Sequence, residues 1–459
     1  MPSRPARALA PQFALVALFT AGYLAPYLLP TIVGRLSAGL GLGPSPAGLV
    51  GSILLLGSAS AGFTLAARAD RVGPRRAARL GLTAMVVGYG VAAATHELPL
   101  VVLGAVVGGF GSGTSTAVAA AGIAGRPDPH RASALGLLSV SATAGALYLT
   151  LPRLGGGHAL PFVAIAALAM AVWPTTGALA PPTRPGVPAA REAPGAPGVP
   201  LGAAAPSATP LPHRRAGTTL AGAILLWSMA QNALWGVSGR IGLTQAGLSE
   251  VALGAVFAVA LGAGLAGVVA AGALGSRLGR AVPIGAGTAL IAGCVLLSSA
   301  AVTPASFAAG EIAWNALYPV VLSYVLGLAA SLDPRGRWAV LVGSASSLGV
   351  ACGPVTGSVL SEAAGYQGMG LTLCALLLLV AAPMTAVARH ASGRPLVPGS
   401  VRRRGGAPAA VLAATTTPTP ALVPQLGAPE QDIAPIRLDT PADRATRSGF
   451  DLARPSDRA

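Results

Sequence analysis

The chain contains no lysine, and only 10% of its 459 residues are charged. Soluble domains carry about 25% charged residues, so this sequence cannot coat a water-soluble protein of its length. Acids are scarcest: 14 Asp and Glu stand against 30 basic residues, all of them Arg. Taken alone, the net charge of +16 would fit a nucleic-acid binder. Such binders are rich in both signs of charge, however, and a mean hydropathy of +0.67 points to lipid instead. No nucleic-acid partner is expected. Cysteine is nearly missing. Cys294, Cys352 and Cys374 fall inside apolar runs at no ligand spacing, which speaks against both a zinc site and a disulfide framework. His96, His130, His158, His213 and His390 are scattered through connections and the tail. Neither a metal nor a cofactor is expected. Gly262, Gly264 and Gly267 spell G-x-G-x-x-G, but within an apolar helix and with Gly287 rather than an acid about 20 residues on, so no dinucleotide site is read there.

What the chain has in abundance is apolar length. A membrane-spanning helix needs roughly 20 mostly apolar residues, and twelve such stretches can be counted. They are 12–33, 47–68, 77–95, 98–123, 132–152, 158–180, 217–238, 249–272, 281–300, 304–330, 338–361 and 366–388. The expected fold class is an all-α membrane protein. The first stretch is longer than a signal-peptide core and leads into further spans, so it reads as a helix of the mature protein. Two segments differ in kind. Residues 181–216 hold ten prolines between Pro181 and Pro212 and read as a linker. Residues 389–459 are charged and Pro-rich, and read as a disordered tail. The expected organisation is a short N-terminus (1–11), one half at 12–180, the linker, a second half at 217–388, and the tail.

The arginines give this scheme an orientation. With the N-terminus inside, 17 arginines before the tail fall in inner segments, and only Arg35, Arg153 and Arg240 fall in outer ones. That is the positive-inside pattern, and it places both termini in the cytoplasm.

The spans repeat. The loop after the second reads Ala-Asp70-Arg71-Val-Gly73-Pro74-Arg75-Arg76, and the loop after the eighth reads Ser276-Arg277-Leu-Gly279-Arg280. Asp70 and Ser276, Arg71 and Arg277, and Gly73 and Gly279 are all separated by 206 residues. Here the chain resembles the major facilitator superfamily, whose loop signature is Gly-x-x-x-Asp-Arg-x-Gly-Arg-Arg. It departs from that signature at Ala66 and Pro74, and the second copy has Ser276 in place of the acid. The resemblance, over about residues 12–388, implies twelve transmembrane helices in two six-helix pseudo-symmetric halves. It also implies a gating role for Asp70 and Arg71, with Gly73, Arg75, Arg76, Arg277, Gly279 and Arg280 completing the motif. Gly349, Gly353, Pro354 and Gly357 resemble a pattern that antiporters of the family place in the fifth helix, here in the eleventh. Close helix packing and a kink account for it equally.

Ionisable groups inside spans are functional candidates by default. Away from the span ends one stands out, Glu311 in the tenth. Glu311, Trp314, Asn315 and Tyr318 share a helix face. The resemblance implies that the first, fourth, seventh and tenth helices line a central cavity. The seventh supplies Gln231, Asn232 and Trp235, and the first supplies Tyr23 and Tyr27. Aromatic walls with a few polar groups suit a small amphipathic substrate. The same side chains also suit interfacial anchors and helix bridges. Offset by 206 residues, Glu311 falls on Ala105, where proton-coupled drug exporters of the family carry an Arg.

The expected function is transport of a small organic solute by alternating access, with a proton as coupling ion and export slightly ahead of uptake. The expected protein is a monomer in the cytoplasmic membrane and not an enzyme. A membrane-embedded enzyme or a non-transporting sensor on the same fold are the other classes to be weighed.

Overall fold

A computed structural model of the chain describes residues 4–66, 72–126, 128–155, 157–179, 211–275, 277–333 and 335–392. The described residues are helical almost throughout. In chain order the helices are α1 (Arg4–Tyr27), α2 (Leu29–Leu40), α3 (Pro44–Ala66), α4 (Pro74–Ala94), α5 (Leu98–Ala124), α6 (Pro129–Leu154) and α7 (Ala159–Val172). After a 3-10 turn at Trp173–Ala178 come α8 (Arg214–Arg240), α9 (Glu250–Leu274), α10 (Ala281–Ser299), α11 (Pro304–Ser331) and α12 (Arg337–Ser392). Proline opens many of them, at α2, α3, α4, α5, α6 and α11. Its ring presets the helical φ, and its missing N–H is one that a first turn leaves unbonded anyway. Asp128, Ser249 and Thr303 cap α6, α9 and α11 by accepting from Arg131, Ala252 and Ser306 amides.

Among the described residues, ten helices are long and apolar enough to cross a membrane. α1 and α2 pass that test together, bent by 49° at their junction. The longest, α12, is non-helical at Gly365 (φ 68°), and the arms on either side are each long enough to span. Leu80, Val269, Leu290 and Leu379 are exposed, as lipid-facing side chains should be.

The 206-residue repeat is present in the structure. α3 starts at Pro44 and α9 at Glu250, α5 at Leu98 and α11 at Pro304; each pair differs by 206. Gly73 and Gly279, also 206 apart, both turn with positive φ, 73° and 66°. That conformation strains any side chain with a Cβ, so this motif position is glycine for a local reason in both copies.

Several boundaries differ from the sequence reading: helix already begins at Arg4 within the segment read as N-terminus (1–11), and α12 runs on to Ser392 within the segment read as tail (389–459). The first span is not one helix over 12–33 but a broken pair, because Pro26 and Pro30 each remove a backbone donor within four residues. The linker read as ending at 216 gives way to helix at Arg214. Linker residues 181–210, the tail from 393 and the motif residues Asp70, Arg71 and Ser276 lie outside the described residues.

Helices α1–α7 form one half and α8–α12 the other. At the arginine-rich end the polar contacts among the described residues stay within each half: Arg79 bonds Thr176 and stacks on Trp173, and Arg280 bonds Ser331. At the opposite end they join the halves. Arg35 meets Glu250 at 2.8 Å, Ser45 bonds Glu362, and the Val355 amide donates to Ser52 at 2.9 Å. Gly254 in α9 lies against the Tyr148 carbonyl of α6.

Candidate functional site

Helices α8 and α11 face each other across the second half, joined by side chains in antiparallel steps. α8 presents Trp227, Gln231, Trp235 and Ser238 at spacings of four, four and three, which is one helical face. α11 presents Glu311, Trp314 and Tyr318 on its own face. The steps run from Ser238–Glu311 to Trp235–Trp314 (ring centroids 5.6 Å), then Gln231–Trp314, then Trp227–Tyr318 stacked at 5.3 Å. Glu311 is nearest the end where the halves meet, and Tyr318 lies toward the arginine-rich end.

Glu311 has no exposed surface. Its Oε1 accepts from Ser238 Oγ at 2.8 Å, while Oε2 has no partner among the described residues. Ser298 of α10 faces the carboxyl, and its buried Oγ has no other hydrogen-bond partner among the described residues. No arginine pairs with Glu311 among the described residues. Arg240, the nearest cation in α8, turns instead to Ser361. A carboxyl buried within a membrane span with no cation against it is a functional candidate by default.

The indole N–H of Trp314 donates to Gln231 Oε1 at 2.8 Å, and Gln231 is fully buried. Trp235 and Trp314 are 7% and 5% exposed, so these rings close a layer beneath Glu311. Asn232 and Asn315 are the only asparagines in the chain, each at the head of an Asn-Ala-Leu-aromatic run, 232–235 and 315–318. Each amide donates at 2.9 Å to the carbonyl four residues earlier, Ser228 and Glu311 respectively. One N–H and the carbonyl oxygen of each remain for other partners. Both asparagines are half-buried, as are Tyr318 and Tyr27.

The residues singled out from the sequence therefore fall into two layers. Glu311, Gln231, Trp235 and Trp314 are closed off from solvent, whereas Asn232, Asn315, Tyr318 and Tyr27 keep accessible surface. Tyr27 lies within electrostatic reach of Tyr318 across the halves. Tyr23 is set apart, buried against Phe19 at 4.4 Å. Gly353 and Gly357 press the first arm of α12 onto Asn232 and Ala233 of α8, Gly349 onto Leu225, and Pro354 onto Gly236. In the loop motifs, Arg75 is half-buried with Nε unpartnered among the described residues, and Arg76 and Arg277 are exposed.

Sequence reasoning missed Ser238, Ser298, Trp227, Tyr148 and Phe257. Ser238 was within reach, since it follows Gln231 by seven on the same helix face. Phe257 of α9 touches Trp235 at 5.3 Å and Tyr148 at 5.0 Å, which only the packing of separate helices reveals. His96 and His158, far apart in sequence, meet edge to face at 4.9 Å. The described residues contain no cluster of three metal-ligating side chains.

A helical bundle of two repeated halves around a partly polar interior is the architecture of a membrane transporter. The sequence profile of the Major Facilitator Superfamily matches residues 13–334, and the chain belongs to that family. It is a multi-pass membrane protein that functions in transport. Among solved structures it is similar to the human organic anion transporter MFSD10 (TETRAN), at TM-score 0.57 and 19% identity, covering 83% of this chain and all of that one. It is also similar to a variant of the nucleoside transporter NupG, at TM-score 0.64 and 14% identity, covering 82% and 99%. At these identities the likeness is one of fold. No curated protein matches the sequence.

Proposed function

We propose that this chain moves a small organic solute across the cytoplasmic membrane by alternating access, and that Glu311 binds the coupling proton. The observation that carries the reading is the environment of Glu311: fully buried, bonded to Ser238, and free of any cation among the described residues. Asn232, Asn315, Tyr318 and Tyr27 supply the solute surface, because these candidates keep accessible area. The interior candidates are mostly aromatic and uncharged, which favours an amphipathic solute and export over uptake. The arginine-rich loops set both termini, the linker and the tail on the cytoplasmic side. With that orientation, the contacts joining the halves lie at the outer end, which is where an inward-facing state closes. The motif loops then act as the inner gate, with Asp70 and Arg71 as its ion-pairing members. The protein works as a monomer.

The test is flux in proteoliposomes under an imposed proton gradient, using a panel of fluorescent amphipathic amines and radiolabelled neutral aromatics. Wild-type protein is expected to move at least one of them in a gradient-dependent way, and Glu311→Gln to abolish that dependence. Gradient-driven flux in Glu311→Gln equal to wild type would contradict the proton assignment. The direction of the driven flux decides between export and uptake.

A further inference from the structure

At the break in the first span two backbone carbonyls accept from side chains. Pro30 has no N–H, so the Pro26 carbonyl, four residues earlier, cannot be bonded in the usual helical way. The indole N–H of Trp235 donates to it at 3.2 Å. The next carbonyl, that of Tyr27, accepts from the Tyr148 hydroxyl at 2.6 Å. Tyr148 belongs to the same half as the break; Trp235 belongs to the other. One turn beyond Trp235, Gly239 lets the α8 backbone approach the Pro30 carbonyl, where a methyl group would be too close. The far part of the broken span, α2, carries Arg35. Its guanidinium bonds the Leu151 and Gly155 carbonyls at the end of α6 and the Glu250 carboxylate at the start of α9. That side chain is only 12% exposed. The opposite half thus holds α2 at its root through Trp235 and at its tip through Glu250.

We propose that Trp235 is a positioning residue: its N–H clamps the break between α1 and α2 and thereby keeps the halves closed at the end opposite the arginine-rich loops. The ring also packs on Trp314 and Phe257, and Ser238, which bonds Glu311, lies one turn away on α8. Movement around Glu311 is therefore passed to the hinge of the first span through one turn of a single helix. This goes beyond the proton reading of Glu311 and does not depend on it. Phenylalanine would keep the aromatic contacts and lose the clamp.

The experiment uses the full chain in lipid nanodiscs, with Cys294, Cys352 and Cys374 replaced and spin labels on Pro46→Cys and Ala252→Cys, exposed positions on the two sides of the closed end. Pulsed electron paramagnetic resonance reads the distance between the labels. In Trp235→Phe the population at longer distances is expected to rise about fivefold or more. Tyr148→Phe, which removes a donor from within one half, should leave the distribution closed. Pro30→Ala supplies a backbone N–H to the Pro26 carbonyl and displaces the indole, so it should open the same end with every tryptophan retained. Distributions unchanged in both Trp235→Phe and Pro30→Ala would overturn the proposal. So would a Tyr148→Phe distribution as open as that of Trp235→Phe, because both donors would then be mere caps.

Discussion

The two halves share a scaffold and fill it differently. Shifted by 206 residues, Glu311 falls on Ala105, Trp314 on Gly108, Asn315 on Gly109 and Tyr318 on Ser112. On the facing helix, Gln231 falls on Ala25, Trp235 on Leu29 and Ser238 on Ile32. In the first half the small residues bring α4 and α5 into backbone contact: a methyl on Gly88 would strike Gly108, and one on Gly104 would strike Gly88. Tyr89 fills the adjoining space, bonded to Ser112 at 2.8 Å and stacked on Phe162. In the second half the mate of Gly104, Gly310, likewise packs α11 against α10, and the difference lies between α8 and α11, where the aromatic and polar steps stand. Small residues are what tight packing in lipid requires, because there is no hydrophobic drive between helices there. A duplicated fold has thus kept its helix geometry and its close contact at Gly104 and Gly310, while one copy alone took up the aromatic and polar chemistry.

The largest effect expected from disturbing this contrast is on the contact between α4 and α5. Gly88→Leu forces α4 away from α5, with no flexible side chain to yield, and overpacking of this kind costs about 1–3 kcal/mol or more. Thermal unfolding in detergent should show a strongly lowered midpoint, and a variant as stable as the parent would show that α4 and α5 are not in backbone contact. Next is an attempt to move the acid. In Glu311→Gln with Ala105→Glu, gradient-driven flux should remain absent, because the mates of Ser238 and Ser298 are Ile32 and Ala92, which offer no hydroxyl. Restored flux would mean the halves are chemically interchangeable. Ser238→Ala is a smaller change. A hydrogen bond to a charged group is worth about 1.5–3 kcal/mol, so driven flux should fall roughly tenfold with folding unaffected.

The smallest expected effect lies at the helix starts. Asp128 begins α6 by accepting from a backbone amide, whereas Asp333, before α12, also takes the Arg337 guanidinium at 2.7 Å. Burial works against the charged form of Asp333, but the bonds from Arg337 and the Arg335 amide outweigh it and hold its carboxyl below the ordinary value of 3.8. A depressed value stabilises the fold above the unfolded pKa, and that contribution is lost as pH falls through the folded one. Asp333→Asn should therefore lower the unfolding midpoint slightly at neutral pH and make no difference in strong acid, measured by thermal scans across pH.

Much of this contrast was legible in the sequence, and for physical reasons. Bilayer thickness imposes long apolar runs, which makes spans countable, and the loop glycines at 73 and 279 fix the repeat because positive φ demands them. Glu311 stood out because a carboxyl is costly in lipid. The break at Tyr27–Leu29 was written in Pro26 and Pro30, yet prolines are tolerated in membrane helices, and only the carbonyl partners Trp235 and Tyr148 distinguish a break from a kink. Ser298 and Phe257 carried no signal, because their places depend on how α10 and α9 pack.

The central claim is that one acid, held in one half, exchanges a proton. Infrared difference spectroscopy of the purified protein across a pH titration tests it without any substrate, by following the carboxyl stretch. The account predicts a titrating band that vanishes in Glu311→Gln and persists in Glu250→Gln and Glu362→Gln. A band that survives Glu311→Gln unchanged would contradict it.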